Sequence, residues 1–372
     1  MKSWPNSRNS STGKRLICSA PMDRTPTGNG SYSMSLRTVP LNTPAAWHGR
    51  DLRSRQAWTV QLEAEQVTQL QQETDALLAR GETWQTVTRQ HLTLPSWDGL
   101  VQDLQHELEG GRGFALISDL PVDELSLEQA RLMLWGIGLR VGYPEPQDAA
   151  GNLLHDVRDT GKDLKSDNIR AYQTNLPINY HNDGADAFML LCYRSASSGG
   201  ASKLVSAVAV FNEILRRRPD LAAVLQEPFD FDARGQQRPG APAYQRVPIY
   251  NAHEGLINVL YKREYIDLGQ RFDDVPALKS EQVEALDLMD EVCDELALSF
   301  HLAPGEIVVA NNYDVLHARA AFQDQATEPV ANRHMLRLWF SLPNGRALPP
   351  VFERTREFHH SYARRASGSA SD

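Results

Sequence analysis

The chain opens on about 45 residues with little apolar periodicity, rich in Ser, Thr, Asn, Gly and Pro. That composition predicts a disordered leader over residues 1–45, within which Met22 and Met34 offer alternative starts. Helical periodicity follows. Leu62, Val67, Leu70, Leu77 and Leu78 stand among Gln and Glu over residues 61–79, as on an amphipathic helix. The run GRGFALISDL (111–120) reads as a turn and a short buried strand. Ser126 and Gln129 have the spacing of a capping box, and the helix they open runs through Leu132, Met133 and Ile137. Gly138, Gly142 and Pro144 bring it to an end.

From about residue 170 the pattern changes to short apolar runs separated by turn residues. AFMLLCY (187–193), KLVSAVAV (203–210), GLINVLY (255–261), EIVVAN (306–311) and MLRLWFSL (335–342) each predict a strand. One helical segment interrupts them, with Ser280 as N-cap and Val283, Leu286, Met289, Val292, Leu296 and Phe300 on one face. The residues after Tyr362 read as a loose tail. The whole predicts a mainly β chain with flanking helices, a sandwich, barrel or jelly roll, in one domain over residues 46–362. No internal repeat, Walker loop or strand-borne G-x-G-x-x-G is present, so nucleotide folds lack support.

Composition narrows the class. A net charge of −9 argues against a nucleic-acid partner, which needs a basic face. No run of about 18 apolar residues predicts a membrane span, and no apolar stretch follows Lys2 and Arg8 as in a secretory signal. A cytoplasmic protein is expected. Cys18, Cys192 and Cys293 form no CxxC pair and read as idle thiols in a reducing compartment. The oligomeric state is not readable, and a homo-oligomer is compatible with everything above.

The chemistry sits in AYQTNLPINYHNDGADAFMLLCY, where His181 and Asp183 are two residues apart just before a strand. In extended chain both side chains project from one face and can share a metal. His317, where another buried strand runs into a polar loop, is the best third ligand. Two His and one carboxylate leave positions open on Fe(II) for a co-substrate and oxygen. In NRHMLRLWFSL, alternation puts Arg333, Met335, Arg337 and Trp339 on one face and His334, Leu336, Leu338 and Phe340 on the other. Arginines facing inward call for an anion, and a guanidinium fork fits a terminal carboxylate. Ser202, in SSGGAS, could add a hydroxyl. His334 and His301 have structural readings, His301 as a cap at the C-terminus of the long helix.

The ordered set H-N-D, S-G-G-A-S, N-x-Y-D-V-L-H-A-R and N-R-H-M-L-R resembles the taurine dioxygenase-like (TauD/TfdA-like) family of Fe(II)/2-oxoglutarate dioxygenases, over roughly residues 95–345. The resemblance implies a double-stranded β-helix, or jelly roll, with helices outside. It implies His181, Asp183 and His317 as iron ligands, and Arg333 with Ser202 on the distal carboxylate of 2-oxoglutarate. Ser202 stands where several members have Thr, which keeps the hydroxyl. Arg337 matches a position that in some members faces an anionic group of the substrate, a second-layer salt bridge being the other reading.

The implied reaction consumes O2 and 2-oxoglutarate, gives succinate and carbon dioxide, and oxidises an unactivated C–H of a small molecule. Family halogenases have a small residue at the position of Asp183, so hydroxylation is expected first, with desaturation or cyclisation behind it. A jelly-roll binding protein without the chemistry, or an oxygenase using no 2-oxoglutarate, would leave Arg333 and Ser202 unexplained. Asn179, Asn182, Asp186, Tyr313 and Arg337 are the candidates to face substrate. The segment 229–250, rich in Arg, Gln, Pro and Gly, is a candidate lid over the iron, a plain surface loop being the other reading.

Overall fold

The computed structural model describes residues 36–161, 171–237, 240–324 and 332–367. Two β-sheets face each other. The larger has seven strands, and its spine is Phe114–Ser118, Ile307–Asn311, Ala187–Arg194 and His334–Ser341, antiparallel throughout. Thr59–Gln61 extends one end, and Leu154–Val157 and Tyr143–Pro144 both pair with His334–Ser341 at the other. The smaller sheet runs Leu298–Phe300, Ser202–Ser206, Val315–Arg319, Ile178–His181. This is the jelly roll that the resemblance implied, with helices outside.

Alternation sorts the strand side chains into two cores. Phe188, Met335 and Trp339 of the larger sheet meet Leu204 and Val315 of the smaller one between the layers. The other core lies under the smaller sheet, where Val205 and Leu316 pack against the helices Ala207–Arg217 and Ser280–Leu296. The outer face of the larger sheet is covered by Leu127–Val141, which packs on His334–Ser341 and is backed by Asp98–Gly110 and Ala64–Ala79. Ser126 caps that helix as expected, its hydroxyl accepting from Gln129 N at 3.3 Å while Gln129 Oε1 accepts from Ser126 N.

Several expectations need correction. KLVSAVAV is half a strand: Ser202–Ser206 is extended, but Ser206 Oγ then accepts from Ala209 N and opens the helix Ala207–Arg217. The long helix begins at Ser280 with Lys279 as N-cap and stops at Leu296, so Phe300 belongs to a strand; Val283 lies on the exposed side of the helix. His301 therefore caps no helix; it is exposed, and its carbonyl accepts from Arg55. His334 instead pairs with Asp156 at 2.7 Å. Residues 36–45, assigned to the leader, pack on the domain: Leu41 and Ala45 are buried, and Asn212 bonds Leu41 through both N and O. The expected tail begins inside a helix, His359–Ala366, whose Arg364 and Arg365 pair with the buried Glu145 and Asp186. Residues 1–35 and 368–372 of the expected leader and tail, including Cys18, lie outside the described residues. Cys192 and Cys293 are buried free thiols, and burial pushes Cys192 up to about 12.

Candidate metal and co-substrate site

His181 ends one strand of the smaller sheet and His317 lies directly opposite it on the next. Asp183 follows two residues on, where the chain crosses toward the larger sheet. One ligand atom from each of the three lies within 4.8 Å of the others. Both Nε2 atoms face the carboxylate, His181 at 4.0 Å from Oδ1 and His317 at 3.7 Å from Oδ2. His181 Nδ1 is 2.8 Å from the Asn179 carbonyl, which holds the proton there and leaves Nε2 bare. Burial lowers the pKa of both imidazoles, that of His317 well below its ordinary value, so both are neutral and can ligate. Burial alone would raise Asp183, but the Arg337 guanidinium, foremost among the charges around it, outweighs burial and holds the carboxyl ionised. A neutral His pair and a carboxylate around one point suit a divalent iron.

Beside this trio lies a second feature. Arg333 is buried, and so is Arg319 on the strand that carries His317. Their guanidinium carbons sit 5.0 and 4.7 Å from the ring centroid of Phe322. Arg319 Nη2 donates to the carbonyls of Thr174 and Leu176, but its Nε and Nη1, and Arg333 Nη1, are buried without a hydrogen-bond partner among the described residues. Burial first, then Arg333, pushes Arg319 down to about 9, and burial brings Arg333 down to about 10. Ser202 pairs in register with Arg319 and lines the same cavity. Gly199 and Gly200, at φ 73° and 69°, turn the chain there, and a Cβ on Gly199 would meet the Ala321 carbonyl at 2.4 Å. Unpaired buried guanidinium groups with a hydroxyl beside them can take a carboxylate.

The remaining candidates divide. Asn179 and Arg337 line the cavity, together with His181, Asp183, His317, Ser202 and Arg333. Asn182, Asp186 and Tyr313 do not. Asn182 sits between the two ligands, so alternation turns it away; its side chain binds Tyr261 N and the Asp183 carbonyl. Asp186 accepts from Tyr313 Oη, Leu342 N and Arg365 and is wholly buried. Tyr313 is consumed in that network and packs on Phe358. Arg337 donates from Nη1 to both oxygens of Asp183 at 3.1 Å and from Nε to Gln147 at 2.8 Å. The 229–250 segment is a β-hairpin, Pro228–Asp232 with Tyr244–Pro248, and Arg234 at its tip lines the cavity. Arg319, Lys262 and Arg356 were missed by the sequence reading. Only Arg319 carried a local signal, being two residues past His317 and so on its face.

The fold and this trio define a mononuclear non-haem iron oxygenase of the 2-oxoglutarate-dependent class. The model of the Taurine catabolism dioxygenase TauD, TfdA family matches residues 75–339, and the chain belongs to that family. Its cofactor is accordingly Fe(II), and its co-substrate 2-oxoglutarate. It is 29% identical over 319 residues to FR-33289 synthase of Streptomyces rubellomurinus, covering 83% of this chain and 93% of that protein. It is 24% identical over 246 residues to uridine-5'-phosphate dioxygenase of an Amycolatopsis species, 62% and 85% of the two chains. The fold matches asparagine oxygenase, solved with Fe(II), 2S,3S-3-hydroxyasparagine and succinate, at a TM-score of 0.60 and 14% identity, over 79% of this chain and 97% of that one. No helix among the described residues is long and apolar enough to cross a membrane.

Proposed function

We propose that His181, Asp183 and His317 hold the iron, that Arg333 with Arg319 and Ser202 binds the distal carboxylate of 2-oxoglutarate, and that a C–H bond of a small anionic metabolite is hydroxylated. The observation that carries this reading is the pair of buried guanidinium groups with unpaired N–H beside the His–Asp–His trio. An oxygenase without 2-oxoglutarate would leave those charges uncompensated. The bound iron and 2-oxoglutarate supply the oxidising chemistry; the protein orients them and excludes water. Arg337, whose Nη1 donates to both oxygens of Asp183, holds that carboxylate in place between the two imidazoles. Trp339 and Tyr172, both about 5.0 Å from the Arg337 guanidinium carbon, in turn hold that arginine in place. An anionic substrate fits the basic cavity walls and accords with the uridine-5'-phosphate of the Amycolatopsis relative's name.

Succinate release from 2-oxoglutarate, coupled to a product mass gain of one oxygen in a screen of small acids and natural-product intermediates, tests the reaction. Asp183→Ala is expected to abolish turnover and to weaken Fe(II) binding. Full retained activity in that variant would sink the ligand assignment.

A further inference from the structure

A second group of cations lines the same cavity, and the co-substrate assignment leaves it unused. Lys262 precedes the helix Arg263–Gly269, Arg356 lies on the C-terminal segment, and Arg234 stands at the tip of the hairpin. Lys262 is tied to His181 by an antiparallel backbone bridge, which fixes it next to the proposed iron site. Its Nζ is 3.0 Å from Glu357 Oε1, and both side chains are buried. Arg356 shares that oxygen: its Nη1 lies 3.5 Å away, is buried, and has no hydrogen-bond partner among the described residues, while the guanidinium also bonds Tyr265. Arg234 is held at φ 53° and makes no ion pair among the described residues.

One buried carboxylate, Glu357, therefore stands against these three cations, and about two positive charges are left without a buried partner at the cavity. Arg263 adds nothing to that balance because Asp267, Asp287 and Asp290 already pair with it, and Glu264, the carboxylate at the cavity rim beside it, is exposed and keeps its water. Arg337, the cation that the family resemblance offers to substrate, is spent on Asp183 and Gln147. A monoanion such as a carboxylate or sulfonate would balance one of the two charges and leave the other buried and unmatched. A phosphoryl group with its second proton lost carries close to two negative charges and three acceptor oxygens, enough for Arg356 Nη1, Lys262 and Arg234 together.

We propose that Arg356, Lys262 and Arg234 form the primary-substrate subsite, and that the substrate carries a dianionic phosphoryl head, a phosphate monoester or a phosphonate. This rests on the 2-oxoglutarate reading above, since it assigns Arg319 and Arg333 to the co-substrate. Protein loaded with Ni(II) and 2-oxoglutarate, which does not turn over, is titrated calorimetrically at pH 8 with ethyl phosphate, ethylphosphonate, ethanesulfonate and propionate. Binding of ethyl phosphate or ethylphosphonate about tenfold tighter than the two monoanions is expected, the tighter one giving the source of the head. Arg356→Met is expected to weaken that binding about tenfold or more, and Arg234→Ala, on the hairpin tip, about threefold. Affinity for 2-oxoglutarate stays within about twofold in both. Equal binding of all four probes, or phosphoryl binding unmoved by either variant, overturns the proposal. Arg234→Ala keeps the test open if Arg356→Met does not fold. Failure of the co-substrate reading would show separately, as absent 2-oxoglutarate binding in the unsubstituted protein.

Discussion

Arg319 and Arg333 are held on either side of one decision, whether an anion is present. With Phe322 within 5.0 Å of both and buried N–H groups lacking partners, each guanidinium is desolvated without full compensation. An arriving carboxylate would remove that cost, and on this ground we assign the co-substrate to these arginines. Arg333→Ala should therefore raise the KM for 2-oxoglutarate by about 30-fold or more, the equivalent of losing a buried charged partner worth about 2–5 kcal/mol. Arg337→Ala should change that KM far less and act on Fe(II) affinity, because Arg337 holds Asp183. Steady-state kinetics and metal titration of both variants check this, and the reverse ranking would mean that the two roles are exchanged. His181, Asp183, Arg333 and Arg337 could be found in the sequence because strand alternation makes i and i+2 share a face. The same rule reaches Arg319 from His317. Nothing local announces Lys262 and Glu357, which meet across 95 residues of chain.

Among the elements, the strand His334–Ser341 does most to join fold and site. All eight residues are buried, and it pairs with Ala187–Arg194 on one side and Leu154–Val157 on the other. One face carries Arg337 and Trp339 into the cavity. The other packs on the helix Leu127–Val141 so closely that a Cβ on Gly138 would lie 2.0 Å from Leu338 Cδ2. At the end of that helix a Cβ on Gly142 would meet the Ser341 carbonyl at 2.4 Å, and backbone cannot rotate aside as a leucine methyl can. Gly142→Ala should thus destabilise the protein by about 1–3 kcal/mol, the usual cost of overpacking, and Gly138→Ala by less. Urea denaturation measures both; an unchanged midpoint for Gly142→Ala would show that this contact is slack. The strand itself was readable from alternation and length, as was the capped helix that covers it. KLVSAVAV was not, because a short apolar run has no decisive period and only Ser206 capping Ala209 N decides for helix after residue 206.

Across the whole molecule, an acidic chain of net charge −9 places eight of its 38 Lys and Arg residues around one cavity. Such a cavity focuses the field on incoming anions although the protein as a whole is negative. The arrangement needs an internal counterweight, and Glu357 is the buried carboxylate that both Lys262 and Arg356 share. Burial works to raise its pKa, but Lys262 and then Arg356 outweigh it and bring it from 4.5 down to about 2. Because the folded value lies below the unfolded one, the contribution to stability is complete above pH 4.5 and is lost as pH falls from there toward 2. That interval corresponds to about 3 kcal/mol at most. Glu357→Gln should remove this component, so that its unfolding free energy changes less steeply between pH 4.5 and 2 than that of the unsubstituted protein. At pH 7 the same variant should be less stable by about 3–5 kcal/mol, since it leaves two buried cations unpaired. A dianion that binds Arg356 and Lys262 should restore part of that loss, which couples the stability of the C-terminal segment to occupation of the cavity. Urea unfolding followed from pH 2 to 7 decides the matter: parallel curves for the two proteins would mean that protonation of Glu357 makes no contribution to the acid sensitivity of the fold.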